Sequence, residues 1–299
     1  MIKLATLILN YNDYETTISC VNKIKNYTGF DVILIVDNKS SDDSFNQLKS
    51  ITSSKVKLIK TDKNGGYGYG NNFGINYLID NYDPTHIMIM NPDVFIEERV
   101  VEKIKQLFFL HPEISIIAPS MLNIDGRREW GCAWKIPSAF SYIMSADLIL
   151  NRLLAFNEYS KDYLSCDEEL IKVDCVAGSL LVINAQHMKK YGMYDENMFL
   201  YGEETLLGIK MKNAGCVTAL LPNEFFLHLH GVSIKKSITS DIIRRKLMLN
   251  SRSYILNNYY HISLFMRLFR KMVFCNSMIQ YRLLLLFKKF RMLAGVNNE

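Results

Sequence analysis

No two of the six cysteines, at positions 20, 132, 166, 175, 216 and 275, stand in C-x-x-C spacing. That excludes a zinc ribbon and a thioredoxin-type redox pair. In a chain of 299 residues they read as reduced, mostly buried thiols of a cytoplasmic protein. No apolar run approaches the roughly 18 residues of a spanning helix. The first apolar run, Leu4 to Leu9, is short and leads into Asn10-Tyr11-Asn12 rather than a small-residue cleavage site, so no secretory signal is expected. Internal repeats and low-complexity segments are lacking. A dinucleotide loop is lacking too. Counted from Gly66, the G-x-G-x-x-G pattern meets Asn71 at its last glycine, and the segment follows a third strand, not a first.

Acidic residues are scarce at one end. From residue 241 onward there are eleven Lys or Arg and only Asp241 and Glu299, a balance of +9 against +5 for the whole chain, which leaves −4 on residues 1–240. The positive charge belongs to the tail, so a basic catalytic body for nucleic acid is not indicated. With 49% hydrophobic residues the chain can bury a core, and general disorder is not expected.

What is present begins as an alternation. Apolar strands are expected at Lys3–Asn10, Asp31–Asp37, Val56–Lys60 and His86–Met90, and helices at 13–27, 74–81 and 100–110. Such alternation predicts an open α/β sheet, largely parallel, with ligands at the carboxyl ends of strands. Those ends carry Asn10-Tyr11-Asn12, Asp37-Asn38 and Asn91-Pro92-Asp93. A glycine-rich loop is expected at Asn64–Asn72. The second half reads as a loop-rich stretch with both tryptophans (127–138), a strand interrupted by Ala177-Gly178-Ser179, a helix entered near Met198, a strand at Val217–Leu220, and an all-helical region after 241.

Several of these residues have the chemistry of a site, and each also has a plainer use. A carboxylate at Asp37 can accept from a uracil or thymine N3–H, or simply cap a turn. Glycines at 65, 66, 68 and 70 let backbone approach a ligand, or form a flexible turn. Asp93 offers a hard oxygen to Mg²⁺ or Mn²⁺, and Asn-Pro-Asp equally ends a strand. The pair Glu203–Glu204 can take a proton from a hydroxyl, or begin a helix favourably. His228 and His230 can ligate metal or meet phosphate, or be structural. Trp130 and Trp134 suit a sugar ring or a core equally. Asp174 is a lesser candidate.

Taken together, and in this order, Ile8-Leu9-Asn10-Tyr11-Asn12, Val36-Asp37-Asn38 with Ser40 and Asp42, Asn64 through Asn72, Asn91-Pro92-Asp93, Val176-Ala177-Gly178-Ser179, Phe199 through Glu204 and His228-Leu229-His230-Gly231-Val232-Ser233 resemble the family 2 glycosyltransferases. The likeness is to the rhamnosyltransferase-like group of bacterial polysaccharide assembly and spans about residues 4–233. It implies a GT-A fold over 1–240, with 241–299 as a basic helical extension, and an inverting transfer of sugar from a nucleotide-sugar donor. dTDP-rhamnose is the favoured donor and a UDP-hexose the runner-up. The acceptor would be a hydroxyl on a lipid-linked or growing glycan, as in O-antigen or capsule synthesis.

The resemblance also implies roles. Asn10, Tyr11, Asn12, Asp37 and Asn38 would hold the nucleotide, and Asn64, Gly65 and Asn71 would line the donor site. Asn91 stands where the family has the first acid of its metal motif. Asp93 and His228 would meet Mg²⁺ or Mn²⁺ and the diphosphate, and Gly178 would lie on the acceptor side. Glu204 falls at the catalytic aspartate's position, beside Glu203, while Leu206 stands where the family has a further acid. The rivals are a nucleotidyltransferase, which would need a basic glycine loop after the first strand, and a non-catalytic glycan-binding protein with a decayed site.

The tail helix around Arg267, Arg270 and Lys271 is read as a basic amphipathic helix. That reading predicts peripheral contact at the inner face of the cell membrane, and the plainer use is a helical subdomain packed on the catalytic body with a solvated basic face.

Overall fold

A computed structural model describes residues 2–154, 168–229 and 240–293. The described chain divides into two compact units, residues 2–136 with 168–229, and residues 137–154 with 240–293.

The first unit is built on a nine-stranded sheet. Its parallel part comes from the alternating first third of the chain: β1 (Leu4–Asn10), β2 (Val32–Asp37), β3 (Val56–Lys60) and β4 (His86–Met90), in spatial order β3-β2-β1-β4. Every residue of β2 and β4 is buried, as the near-continuous apolar runs of a two-sided parallel sheet demand. Helices α1 (Tyr14–Ile24), α2 (Ser44–Lys49) and α3 (Tyr67–Tyr82) connect these strands.

Beyond β4 the sheet changes character. After β5 (Val94–Ile96), α4 (Glu98–Leu110) and β6 (Ile114–Leu122), the small strands β7 (Ala133–Trp134), β8 (Ile171–Val173) and β9 (Cys175–Val176) precede β10 (Leu180–Asn184). β10 runs antiparallel between β4 and β6, while β7 and β9 pair in a ribbon of their own. The last strand of this unit, β11 (Val217–His228), lies parallel to β6 and antiparallel to β5 and β8. It is far longer than the expected Val217–Leu220. It shifts register between Leu221 and Phe225, around Pro222, where a missing backbone donor suits a bulge. The parallel expectation therefore holds for β3-β2-β1-β4 and again for β6 with β11, and the sheet as a whole is mixed.

The glycine-rich segment is not a loop throughout. Helix α3 starts at Tyr67, seven residues before the expected start. A Cβ on Gly70 would meet Leu9 at 2.4 Å, and one on Gly74 would meet Leu7 at the same distance. These glycines, four apart on one face, let α3 lie close on the sheet. Only 64–66 remains loop, and Gly66 alone requires the left-handed region, at φ +93°.

The second unit is helical. After α5 (Ala139–Met144), α6 (Leu148–Leu154), a short α7 (Ala185–His187) and α8 (Glu203–Asn213), the chain ends in α9 (Asp241–Asn258) and α10 (Leu264–Leu293). Of these, α5, α6, α9 and α10 make up the second unit. The basic residues of the tail are partly internal. Arg252 donates to Ser145 Oγ at 2.8 Å and stacks over Tyr142. Arg245 reaches Ala146 O and Ser277 Oγ. Arg270 is only 7% exposed and donates through Nη1 to Ser253 O and Asn257 Oδ1. The expected basic face of Arg267, Arg270 and Lys271 is thus broken, because Arg270 faces α9. Among the described residues no helix is long and apolar enough to cross a membrane. The cysteines described are free thiols, and Cys166 lies outside the described residues.

Candidate active site

Asp37 and Asn10 end adjacent parallel strands and face each other in register. Asn10 Nδ2 donates to Asp37 Oδ1 at 3.0 Å, and Thr17 donates to Asn10 Oδ1 at 2.8 Å. The other Asp37 oxygen accepts from the Ser40 amide at 3.2 Å and lies 3.7 Å from Lys60 Nζ. The Asp37 side chain has no exposed surface, so a ring N3–H has no open approach to it in this arrangement. Its work here is to pin the ends of β1 and β2. The half-exposed surface beside it comes from Tyr11 and Asn12. Asn12 sits at φ +52° and is held by Ser40 Oγ and Ser41.

Asn38 bridges to the glycine segment, donating to Asn64 Oδ1 at 3.1 Å and to Gly66 O at 3.0 Å. Asn64 Oδ1 also accepts from the Gly66 amide. Gly65 is pressed against the Tyr69 ring. Asn71, expected at the donor, is buried in α3 and donates to Tyr67 O one turn back. Asn72 clamps a distant loop, exchanging hydrogen bonds with the Tyr194 backbone and donating to Glu196. Beyond Gly66, the Tyr67 amide donates to Phe199 O at 3.0 Å. A Cβ on Gly66 would stand 2.1 Å from that same oxygen. The glycine segment is thereby seated against the loop that leads into the acidic pair.

That pair opens α8, after Tyr201 at φ +75° and Gly202 at φ +88°. Successive left-handed residues turn the chain sharply, and the free amides of the helix start favour carboxylates there. The two glutamates face different surroundings. Glu203 is 3% exposed, and its Oε1 makes no hydrogen bond. It lines a recess with Tyr194, Met198, Leu206 and Lys210 that has no room for water. Burial first, and the Glu204 charge second, push its pKa up to about 8. Glu204 is half-buried and lies over Gly178, where a Cβ would come within 2.9 Å of its Oε1. Burial raises its pKa as well, opposed by hydrogen bonds from its own amide and that of Gly178.

Gly178 joins the acidic pair to the predicted metal residues. Its carbonyl accepts from Tyr67 Oη at 2.8 Å. Burial, with Tyr194 and both glutamates nearby, raises the Tyr67 pKa and keeps that phenol a donor. One residue on, Ser179 O accepts from the Asn91 amide at 2.8 Å. Asn91 begins the turn carrying Asp93, which is 4% exposed with Oδ1 making no hydrogen bond. Pairing of β5 with β11 sets His228 opposite Val94, and His228 Nε2 lies 3.3 Å from Asp93 Oδ1. His228 Nδ1 rests against Met121 Sδ at 3.3 Å.

An unsatisfied buried carboxylate oxygen beside an imidazole nitrogen fits a divalent cation. No cluster of three or more His, Cys, Asp or Glu able to hold a metal occurs among the described residues. A cation here would have two protein ligands and need the rest from a bound molecule. His230 and 231–233 lie outside the described residues.

Tyr67, Tyr194 and Asn72 went unassigned in the sequence. Tyr67 stands between two glycines of the quoted segment, and that position was its available signal. Asn72 pairs with residues more than 120 positions away, which no local pattern encodes. Trp134 is half-buried, with Nε1 donating to Thr205 Oγ1 at 3.2 Å. Asp174 accepts from the Ile136 amide and pairs with Lys212, so it anchors structure.

With this geometry in place, comparison with known proteins is decisive. Residues 3–242 match the family described as glycosyltransferase like family 2. The chain belongs to that family. It is 28% identical over 204 residues to the low-salt glycan biosynthesis hexosyltransferase Agl10 of Haloferax volcanii, covering 67% of this chain and 59% of that one. Over 209 residues it is 25% identical to an N-acetylglucosaminyl-diphospho-decaprenol L-rhamnosyltransferase of Mycobacterium tuberculosis, covering 66% of each. This chain thus spans about three-fifths to two-thirds of those relatives.

Among solved structures, GalNAc-T7 with UDP, GalNAc and Mn²⁺ superposes with a TM-score of 0.60 at 13% identity, covering 87% of this chain and 49% of that one. TarS 1–349 of S. aureus in complex with UDP gives 0.53 at 10%, covering 93% and 71%. These likenesses establish the GT-A fold.

Proposed function

We propose that this chain is an inverting glycosyltransferase that moves rhamnose from dTDP-rhamnose to a hydroxyl of a lipid-linked or growing glycan, in polysaccharide synthesis of the O-antigen or capsule kind. The observation that carries the reading is the hydrogen-bonded run Glu204–Gly178–Ser179–Asn91, continued through the turn to Asp93 and His228. It joins a half-buried carboxylate to a cation-binding pair, the two functions that glycosyl transfer from a nucleoside diphosphate needs together. The similar N-acetylglucosaminyl-diphospho-decaprenol L-rhamnosyltransferase supports the donor and acceptor class. UDP complexes among the fold relatives keep a UDP-hexose as the second choice.

Within this reading the transferase body covers 1–240, and the basic extension from 241 brings the protein to the inner face of the cell membrane. Glu204 is the base. It is the more exposed of the pair and faces Gly178, and its charge, added to burial, holds the Glu203 pKa at about 8. The acceptor hydroxyl gives its proton to Glu204 as its oxygen attacks the anomeric carbon from the face opposite the leaving diphosphate. Tyr67 fixes the Gly178 carbonyl, on the residue whose amide faces Glu204. Tyr11, Asn12 and the Asn64–Gly65 link receive the nucleotide, on a frame held by Asp37, Asn10 and Asn38. Mg²⁺ or Mn²⁺ at Asp93 and His228 would neutralise charge on the diphosphate.

A screen of dTDP-rhamnose and UDP-hexoses against a polyprenyl-diphospho-sugar acceptor, read by product mass, tests the assignment. Product from dTDP-rhamnose is expected. Product from a UDP-hexose alone moves the donor, and absence of nucleotide binding with every donor leaves the glycan-binding alternative in its place.

A further inference from the structure

Helix α10 (Leu264–Leu293) has a surplus apolar face. Its inner side is already used, with Arg270, Val273, Phe274 and Ser277 buried. A surface helix ordinarily has one apolar stripe and covers it. Here Leu268, Met272, Ile279, Leu286 and Phe290 are all more than half exposed. At 100° per residue they fall within a sector of about 40°, and at 1.5 Å per residue they extend over about 33 Å. An exposed apolar band of that length marks an interaction surface.

Charge identifies the occupant. Helix α10 contains seven Lys or Arg and no acid. Lys271 and Arg282 lie within about 60° of the apolar sector, and both are exposed. Beside Lys271 a cleft of about 270 Å³ opens between α9 and α10, lined by Lys246, Asn250, Ser253, Arg270 and Lys271 over Leu249, Phe274 and Met278. Both hydrogen bonds of Arg270 run through Nη1. None of the three cations pairs with a carboxylate among the described residues. A largely buried guanidinium without a counter-charge is costly, and burial lowers its pKa, with Arg267 adding to the same effect. A second copy of this chain would set like-charged helices face to face, which disfavours dimerisation through this band.

We propose that α10 lies on an anionic lipid bilayer, its apolar band among the acyl chains, and that the Lys246–Arg270–Lys271 cleft takes the phosphate of a lipid headgroup. This deepens the membrane contact proposed above and rests on it, not on the identity of the donor sugar. Interfacial helices of this kind combine apolar insertion with attraction to anionic headgroups.

The test is sedimentation of the full chain with vesicles of phosphatidylcholine, alone or mixed with phosphatidylglycerol. Two exposed-residue double variants are compared, Lys246→Gln with Lys271→Gln and Met272→Gln with Ile279→Gln, their folding checked by thermal melting. The wild type is expected to bind the mixed vesicles at least tenfold more tightly than the neutral ones. Each basic side chain contributes roughly fivefold near such a surface, so the lysine variant should bind them about thirtyfold more weakly. The apolar variant should lose binding to both. Undiminished binding by the lysine variant overturns the headgroup site and leaves membrane contact standing. Absence of binding to any vesicle overturns both. Saturable binding of inorganic phosphate at the cleft without vesicle binding makes it a site for free anions. A sedimenting dimer that the apolar variant dissolves makes a second copy the occupant, and either result overturns the proposal.

Discussion

At the scale of residues, the proposed site rests on two adjacent glutamates that the fold treats differently. Glu203 enters a dry recess and is pushed up to about 8, whereas Glu204 meets Gly178 at a half-open face. Side-chain direction at the first turn of a helix, not residue type, separates their two environments. The difference has a pH signature. Glu203 unfolded titrates in the ordinary carboxylate range, so between about pH 5 and about pH 8 the folded chain binds the extra proton. Wild-type stability should therefore be highest at the low end of that window and decline as pH rises through it. Glu203→Gln should flatten the decline and exceed the wild type at about pH 9 by on the order of 1–3 kcal/mol. Denaturant midpoints at both ends of the window decide it, and parallel pH dependences of the two proteins would contradict it.

At the scale of elements, strand pairing assembles what the sequence scatters. The first four strands were legible because their apolar runs end abruptly in polar residues, and three of those ends flank the site. The glycine segment was legible as special but misread in kind. Gly70 and Gly74 serve the packing of α3 against the sheet, and only Gly66 turns the chain. Strand β11 was read short because Pro222 and the polar Asn223-Glu224 interrupt its pattern. Yet its far end carries His228 to Asp93 by pairing with β5. On the proposed site, which has two protein ligands, a cation should bind weakly alone and tightly with nucleotide. Titration of Mn²⁺ followed by electron paramagnetic resonance should show affinity rising at least tenfold when UDP or dTDP is present, and Asp93→Ala should abolish the gain. Equal affinity with and without nucleotide would contradict the two-ligand site.

At the scale of the whole molecule, the sequence divided the chain by charge, and the structure divides it by packing. Residues 137–154, which carry no charge signature, fold with the C-terminal helices. Arg245, Arg252 and Arg270 turn inward to hold that unit together, so the tail's +9 overstates the charge it presents. Composition reports how many cations a segment has, and only packing reports which way they face. The same limit explains why family and fold were readable while the different burial of Glu203 and Glu204 was not. The motif places both glutamates, and their different surroundings come from Gly178 and the recess behind Glu203. The most direct measurement is transfer by Glu203→Gln and Glu204→Gln side by side, with one donor and acceptor and product read by mass. Glu204→Gln should lose at least about a hundredfold in kcat, with donor binding retained, while Glu203→Gln stays within about tenfold of wild type. The reverse order, or full transfer by Glu204→Gln, would contradict the account.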